Sequence, residues 1–343
     1  MTVSMRCVPP EPLVEVGEGA QLLHIDFALT NETTSVLELW DVAVVVVDRG
    51  EVIFRRHIDH NGLPSGISTI PEFPVEPGQS VTIFNPLERF PGDLPLTSVR
   101  YEFLFSTDDG SKQWREQVEL MPLAAPVDPD LVLPLRGRLL VYEAHDYYGH
   151  HRRLDTQHPV IRGLGLGHNS GRFSYDLSLV DRHGRMYQGS GTRNEDWYSW
   201  DQPVLAAGTG VVVACAGDRP DFDIDGVGFR LPVGRLADPS VFLGNYVTMQ
   251  HGDDVYSMTG HCRKGSVLVK RGDRVSAGDE IGRVGLSGSC LTVHTHFQLQ
   301  SGVSFDSEGI PAHFTNFRRL RGANSVDVRE GAIDSGEVIQ SLA

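Results

Sequence analysis

Two histidines separated by one residue, His294 and His296, lie in the run Val293-His294-Thr295-His296-Phe297. In a β-strand, successive side chains alternate faces, so both imidazoles project from one side while Val293, Thr295 and Phe297 pack the other. Two imidazoles held by a rigid strand can bind a metal ion and keep a second histidine beside it. Catalytic zinc takes three protein ligands and leaves a fourth position for water, so the rest of the chain must supply more donors. Upstream, Gly167-His168-Asn169-Ser170-Gly171 carries a histidine on a Gly-rich loop, and Asp176 follows on a strand. There Phe173, Tyr175, Leu177 and Leu179 form an apolar stripe, and Asp176 faces away from it with Ser174 and Ser178. An acid so placed is free to reach a metal, and equally free to face water.

The elements that must position these groups are strands. The 343 residues are 40% hydrophobic, enough for two cores, and 37 glycines and 20 prolines fit short strands and turns. Period-2 segments run Gln21–Leu29, Leu37–Val47, Glu51–Arg55, Ser80–Phe84, Ser98–Phe105 and Gln113–Leu120, parted by turns such as Asp108-Asp109-Gly110. They predict an immunoglobulin-like β-sandwich over residues 1–121. Residues 122–135, beginning Pro122-Leu123-Ala124-Ala125-Pro126, read as an extended linker. Strands are expected again at Arg138–Glu143, Arg172–Val180, Thr209–Ala214, Tyr246–Gln250, Val255–Gly260 and Glu280–Val284. Asp218–Arg235 reads as a surface insertion. A tail over 324–343 is expected to hold a short helix around Glu337–Leu342.

The order of motifs between Gly163 and Leu299 narrows the reading. After His168 and Asp176 come the Pro203–Val211 strand, the Gly244-Asn245-Tyr246-Val247 strand, and His261 at the end of Val255–Gly260. Paired turns follow at Gly272-Asp273-Arg274-Val275 and Gly278-Asp279-Glu280-Ile281-Gly282, and the series ends at His294-Thr295-His296. This order resembles the lysostaphin-like, LytM-type zinc metallopeptidases, the peptidoglycan endopeptidases. The resemblance implies an all-β chain in which the sandwich precedes a LytM-type antiparallel domain, a duplicated hybrid motif, over residues 136–323. It implies one catalytic zinc held by His168, Asp176 and His296, with His261 and His294 as catalytic histidines. The ion would make a nucleophile of water near neutral pH, and the two histidines would move protons and stabilise charge.

The sequence departs from the family in three places. Seven residues separate His168 from Asp176 where three are commonest, Thr295 stands for the usual Leu, and Gly260-His261-Cys262 replaces Ala-His-Leu. His251 reads as structural. His57, His60, His145, His150, His151 and His158 read as solvated surface histidines. The aromatic loop Trp197-Tyr198-Ser199-Trp200 suits either a substrate groove or a covered sheet edge.

Other functions fit less well. Paired Gly-Asp turns recur in lipoyl and biotinyl carrier domains, but neither Lys264 nor Lys270 has a carrier lysine's setting. A catalytically silent LytM-like binding or regulatory module usually lacks a metal ligand, and here all five positions are filled. The expected partner is therefore a peptide or peptidoglycan substrate. The formal charge of -15 argues against nucleic acid or an anionic membrane. Four scattered cysteines without a C-x-x-C pair fit a reducing compartment, with a Cys262–Cys290 bridge left open. Met1–Val14 has neither a basic nor an apolar signal region, and no run approaches the ~18 apolar residues of a membrane span. By sequence the chain is thus placed in the cytoplasm, although the family acts outside the membrane.

Overall fold

The computed structural model describes residues 2–125, 130–224 and 238–342. It divides into two compact units, Met1–Ala125 with Asp155–Arg162, and Pro126–Leu154 with Gly163–Ala343. Strands dominate both, so the chain is all-β as expected.

In the first unit a three-stranded sheet, Val3–Val8, Asp26–Asn31 and Ser80–Phe84, packs on a four-stranded one. The latter is ordered Gln113–Leu120, Ser98–Ser106, Glu38–Asp48, Glu51–Asp59. Alternation decides which side faces in. Val99, Tyr101, Phe103 and Phe105 are buried while Arg100, Glu102 and Leu104 are only half-buried. Phe27 of the opposite sheet meets the Tyr101 and Phe103 rings at 4.9 Å each, so the two inner faces share one core.

Three expectations change in this unit. The segment Gln21–Leu29 is two strands, Ala20–Leu22 and Asp26–Asn31, broken where Leu23 turns its N–H to Glu88 O. A further four-stranded sheet of Leu13–Gly17, Ala20–Leu22, Arg89–Pro91 and Leu123–Ala124 adds to the predicted sandwich. Leu123–Ala124 pairs parallel with Leu13–Val14, so the expected linker begins as a strand.

The second unit is built on an eleven-stranded antiparallel sheet. Its central strands run Gly210–Ala216, Asn245–Gly252, Val255–Cys262, Thr295–Gln300, Tyr175–Leu179, Arg138–Glu143 and Val338–Ser341. Phe314–Arg319 and Val326–Gly331 extend it beyond Val338–Ser341. The predicted tail is therefore part of the fold. Val338–Ser341 is a strand rather than a helix, pairing Leu140 with Val338, and Ile333 and Ile339 are fully buried. Leu131, Leu133 and Leu135 are buried too, so the stretch expected as linker serves the core from Leu131 on. Residues 126–129 of that linker, and 225–235 of the expected Asp218–Arg235 insertion, lie outside the described residues.

Candidate active site

Register brings the chemistry together. Tyr175–Leu179 pairs with Thr295–Gln300 so that Asp176 lies opposite His296, and His296 lies opposite Gly260 on the other side. His261 is next to Gly260 and His294 stands just before its strand, so Asp176, His261, His294 and His296 converge from three adjacent strands. The polar face of the Asp176 strand does not meet water. Ser174, Asp176 and Ser178 are all buried, which marks this face as the wall of a site.

Asp176 Oδ1 is the meeting point. His296 Nδ1 lies 3.1 Å from it, His294 Nε2 3.4 Å, and His151 Nε2 3.1 Å. The structure thus brings in His151, expected as a solvated loop histidine; its side chain is 14% exposed. His168 stands apart. Its side chain is 53% exposed and its Nδ1 is 3.2 Å from Asp306 Oδ1. Asp306 Oδ1 also accepts the backbone N–H groups of Gly167 and His168. His150 sits beside His151 with ring centroids 3.8 Å apart, and its Nδ1 is 2.6 Å from Glu143 Oε2. Donor atoms of His150, His151 and Asp176 lie within 4.8 Å of one another.

Hydrogen bonds set the orientation of each imidazole. His261 Nδ1–H donates to Ser287 O at 2.8 Å and His294 Nδ1–H to Thr292 O at 2.8 Å, which leaves both Nε2 lone pairs turned toward the site. On the face shared by His296, Gln298 and Gln300, a one-way chain fixes the third ring. Gln300 Nε2 donates to Gly302 O and Ser304 O, and Gln298 Nε2 donates to Gln300 Oε1 at 2.5 Å. Gln298 therefore offers only its carbonyl to His296 Nε2–H, at 2.8 Å, and the His296 Nδ1 lone pair points at Asp176.

Of the four converging residues, His261 has a strained backbone. Its φ of 62° lies in the left-handed region that a residue with a Cβ rarely enters. Two backbone bonds hold it there, from its N–H to Leu243 O at 2.8 Å and from Gly285 N–H to its carbonyl at 2.9 Å. Gly244, at φ 64°, lies so close to Ser287 that a Cβ would be 2.3 Å from the Ser287 carbonyl carbon.

Charge states follow from burial and neighbours. Burial raises the Asp176 pKa, but the pull of His294 and then His151 outweighs it and holds the carboxyl well below its usual range. Burial, with His294 and His296 nearby, pushes His261 far down, so it is neutral at pH 7. Burial likewise brings His151 down to about 4, against the pull of Asp176.

A metal ion fits these donors. His151 Nε2 and His294 Nε2 are buried 3.1 and 3.4 Å from Asp176 Oδ1 without hydrogen-bonding geometry to it. Such orphaned buried nitrogens are costly unless something binds them. A tetrahedral ion with ~2.0–2.1 Å bonds has ligand atoms about 3.3 Å apart. The two 3.1 Å separations of Asp176 Oδ1, from His151 Nε2 and from His296 Nδ1, match that spacing.

Other sequence candidates lie elsewhere. His251 is structural, its Nδ1–H donating to Thr209 O and its Nε2 accepting from Ser257 Oγ. His145 is buried against the Phe173 and Tyr175 rings rather than solvated, while His57, His60 and His158 are exposed. Trp197 donates to Gly191 O and packs on Tyr187. All four cysteines are free, and burial pushes the Cys262 thiol up to about 12.

Residues 198–307 match the family described as Peptidase family M23, a span that contains His261, His294 and His296. The peptidoglycan DD-endopeptidase ShyA of Vibrio cholerae serotype O1 is 33% identical over 86 residues, 22% of this chain and 20% of that protein. The chain thus spans about a fifth of that relative. The catalytic domain of lysostaphin from Staphylococcus simulans is 21% identical, covering 42% of this chain and 80% of that one with a TM-score of 0.25. A zinc-containing peptidase from Vibrio cholerae is 12% identical, covering 82% of this chain and 78% of that one with a TM-score of 0.25. The cytoplasmic placement read from the sequence is corrected by the first of these. ShyA is by its name a peptidoglycan enzyme, and that polymer lies outside the cytoplasm. Among the described residues no helix is long and apolar enough to cross a membrane, which leaves the compartment open. Over residues 198–307, then, this chain is similar to peptidase family M23.

Proposed function

We propose that this chain is a zinc-dependent endopeptidase that hydrolyses peptide bonds in peptidoglycan peptides. The observation that carries the reading is the convergence of His151, His294 and His296 on one buried carboxylate oxygen, with two of the nitrogens lacking any hydrogen bond. The M23 match over 198–307 and the likeness to a peptidoglycan endopeptidase supply the reaction class and substrate.

In this reading His151, Asp176 and His296 hold the ion, and His168 is replaced as ligand by His151. A bound zinc ion supplies Lewis acidity toward water and the scissile carbonyl. The chain's own groups do the rest. Gln298 keeps His296 in the tautomer that presents Nδ1. His261 and His294 have Nδ1 tied to backbone carbonyls, so each presents Nε2 for receiving a proton from the attacking water or returning one to the leaving amine. Their rings are 4.7 Å apart, close enough to serve one reacting centre from two sides.

The test is to digest defined peptidoglycan peptides with the purified full chain, with and without a chelator, and identify the cleaved bond. His296→Ala is expected to lose zinc and activity together. His261→Ala and His294→Ala are expected to keep zinc and lose on the order of 10²-fold or more in rate, the scale of general acid–base groups. Cleavage that persists without zinc, or full activity in both variants, would remove the proposal.

A further inference from the structure

A cavity of about 210 Å³ opens on the histidines: His151, His261 and His296 line it, and Leu154, Leu166, Phe242, Leu243 and Phe305 supply its apolar wall. Among the described residues no Lys, Arg, Asp or Glu lines it. An apolar cavity of about 150 Å³ is enough to hold a benzene ring, so this one accommodates a branched aliphatic or aromatic side chain. Against the apolar residues of the lining a charged group would lose hydration with no Lys, Arg, Asp or Glu to pair with.

The apolar wall is fastened to the catalytic machinery from both ends. Ser289 N–H donates to Phe242 O at 2.7 Å, and His261 N–H donates to Leu243 O at 2.8 Å, so the first part of the wall shares its backbone bonds with a catalytic histidine. The Phe242 and Phe305 rings stack nearly parallel, 6.3 Å apart at 22°. Phe305 sits in the turn after Gln300, whose Nε2 donates to Ser304 O at 3.0 Å. Its neighbour Asp306 accepts from Gly167 N, His168 N and His168 Nδ1. The exposed His168 thus has a job away from the metal: with Asp306 it ties the loop bearing Leu166 to the loop bearing Phe305.

Resting on the peptidase reading, we infer that this cavity is a specificity pocket, one that takes an uncharged, apolar side chain flanking the scissile bond and grips it against Phe305 and Phe242. The His168–Asp306 pair then acts as a positioning clamp for the pocket.

The experiment uses the zinc-loaded full chain and peptides whose scissile amide is N-methylated, so that binding is read without cleavage. One flanking residue is varied among Ala, Leu, Phe, Glu and Lys, and kcat/KM is measured on the unmethylated counterparts. Leu and Phe peptides are expected to bind at least 10-fold tighter than Glu and Lys peptides. Phe305→Asp should erase that preference, lowering Leu-peptide affinity on the order of 10–100-fold, the range for lost apolar pocket contacts, with zinc content unchanged. Phe305→Leu should restore it, and Asp306→Ala should weaken it while leaving zinc in place. Equal binding of Leu, Glu and Lys peptides at both positions flanking the bond, or a preference that survives Phe305→Asp, overturns the pocket. A chain that binds Leu peptides selectively but cleaves none refutes the peptidase reading and keeps the pocket.

Discussion

Replacing Gln298 by leucine keeps the side chain's bulk and removes the one acceptor available to His296 Nε2–H, now met at 2.8 Å in a buried position. The ring is then free to move its proton to Nδ1, the nitrogen assigned to the metal in the proposed site, or to bury an unpaired donor at a cost of about 1–3 kcal/mol. Loss of a partner that orients a liganding histidine lowers metal affinity about 10–100-fold, the same scale. Gln298→Glu separates tautomer control from packing. Its carboxylate accepts from Nε2–H more strongly, but it also faces Gln300 Oε1, which now receives a Gln298 N–H at 2.5 Å. Gln300 can turn its amide only by giving up its bonds to Gly302 O and Ser304 O. Gln298→Glu is therefore expected to bind zinc at least as tightly as the parent and to unfold at lower urea concentration. Competition against a chromophoric chelator gives the zinc affinities, and urea midpoints on the zinc-free proteins give the stabilities. Parental zinc affinity in Gln298→Leu would refute the tautomer argument.

Chelating the zinc should destabilise the unit that binds it by about RT ln(1 + [Zn]/Kd), close to 4 kcal/mol when zinc was present at 1,000 times Kd, readable as a fall in Tm. Gly244→Ala would force a Cβ within 2.3 Å of Ser287 at a positive φ, so a loss of several kcal/mol in urea unfolding is expected. Ending the chain after residue 323 removes Val326–Gly331 and Val338–Ser341 together with buried Ile333 and Ile339, and the product is expected to be insoluble when soluble fractions are compared. In the sandwich, burial lowers the His24 pKa, but Glu88 and Glu15 outweigh it and hold it above 6.5. Its stabilisation is thus complete below pH 6.5 and is lost as pH rises through the raised value, so urea midpoints should fall from pH 6 to pH 9 and flatten in His24→Gln.

Legibility in the sequence followed regularity of the backbone. His294, His296 and Asp176 stand on or beside strands, where alternation assigns a face, and the strand register puts Asp176 against His296. His261 closes a strand of the same kind. His151 was missed because it sits in the irregular stretch from His145 to His158, where turns held by Asp146 and Asp155 set the side-chain directions and leave no periodicity. The adjacent His150-His151 pair was the available signal. His168 stands on a Gly-rich loop at an acceptable spacing before Asp176, and only tertiary packing shows its ring on Asp306. Ser80–Phe84 and Gln113–Leu120 were read to the residue, since turns bound them and their faces differ. The final strands were not, because Val326 and Val328 lie on an outer strand whose exposed residues mimic a polar tail. Leu123–Ala124 has too few residues for any pattern to register.

Zinc stoichiometry in His151→Ala and His168→Ala, measured side by side on the folded chain, decides which histidine holds the ion. His151→Ala is expected to lose most of its zinc while His168→Ala keeps one ion per chain. Zinc retained in His151→Ala and lost from His168→Ala would contradict the assignment of His151 as ligand.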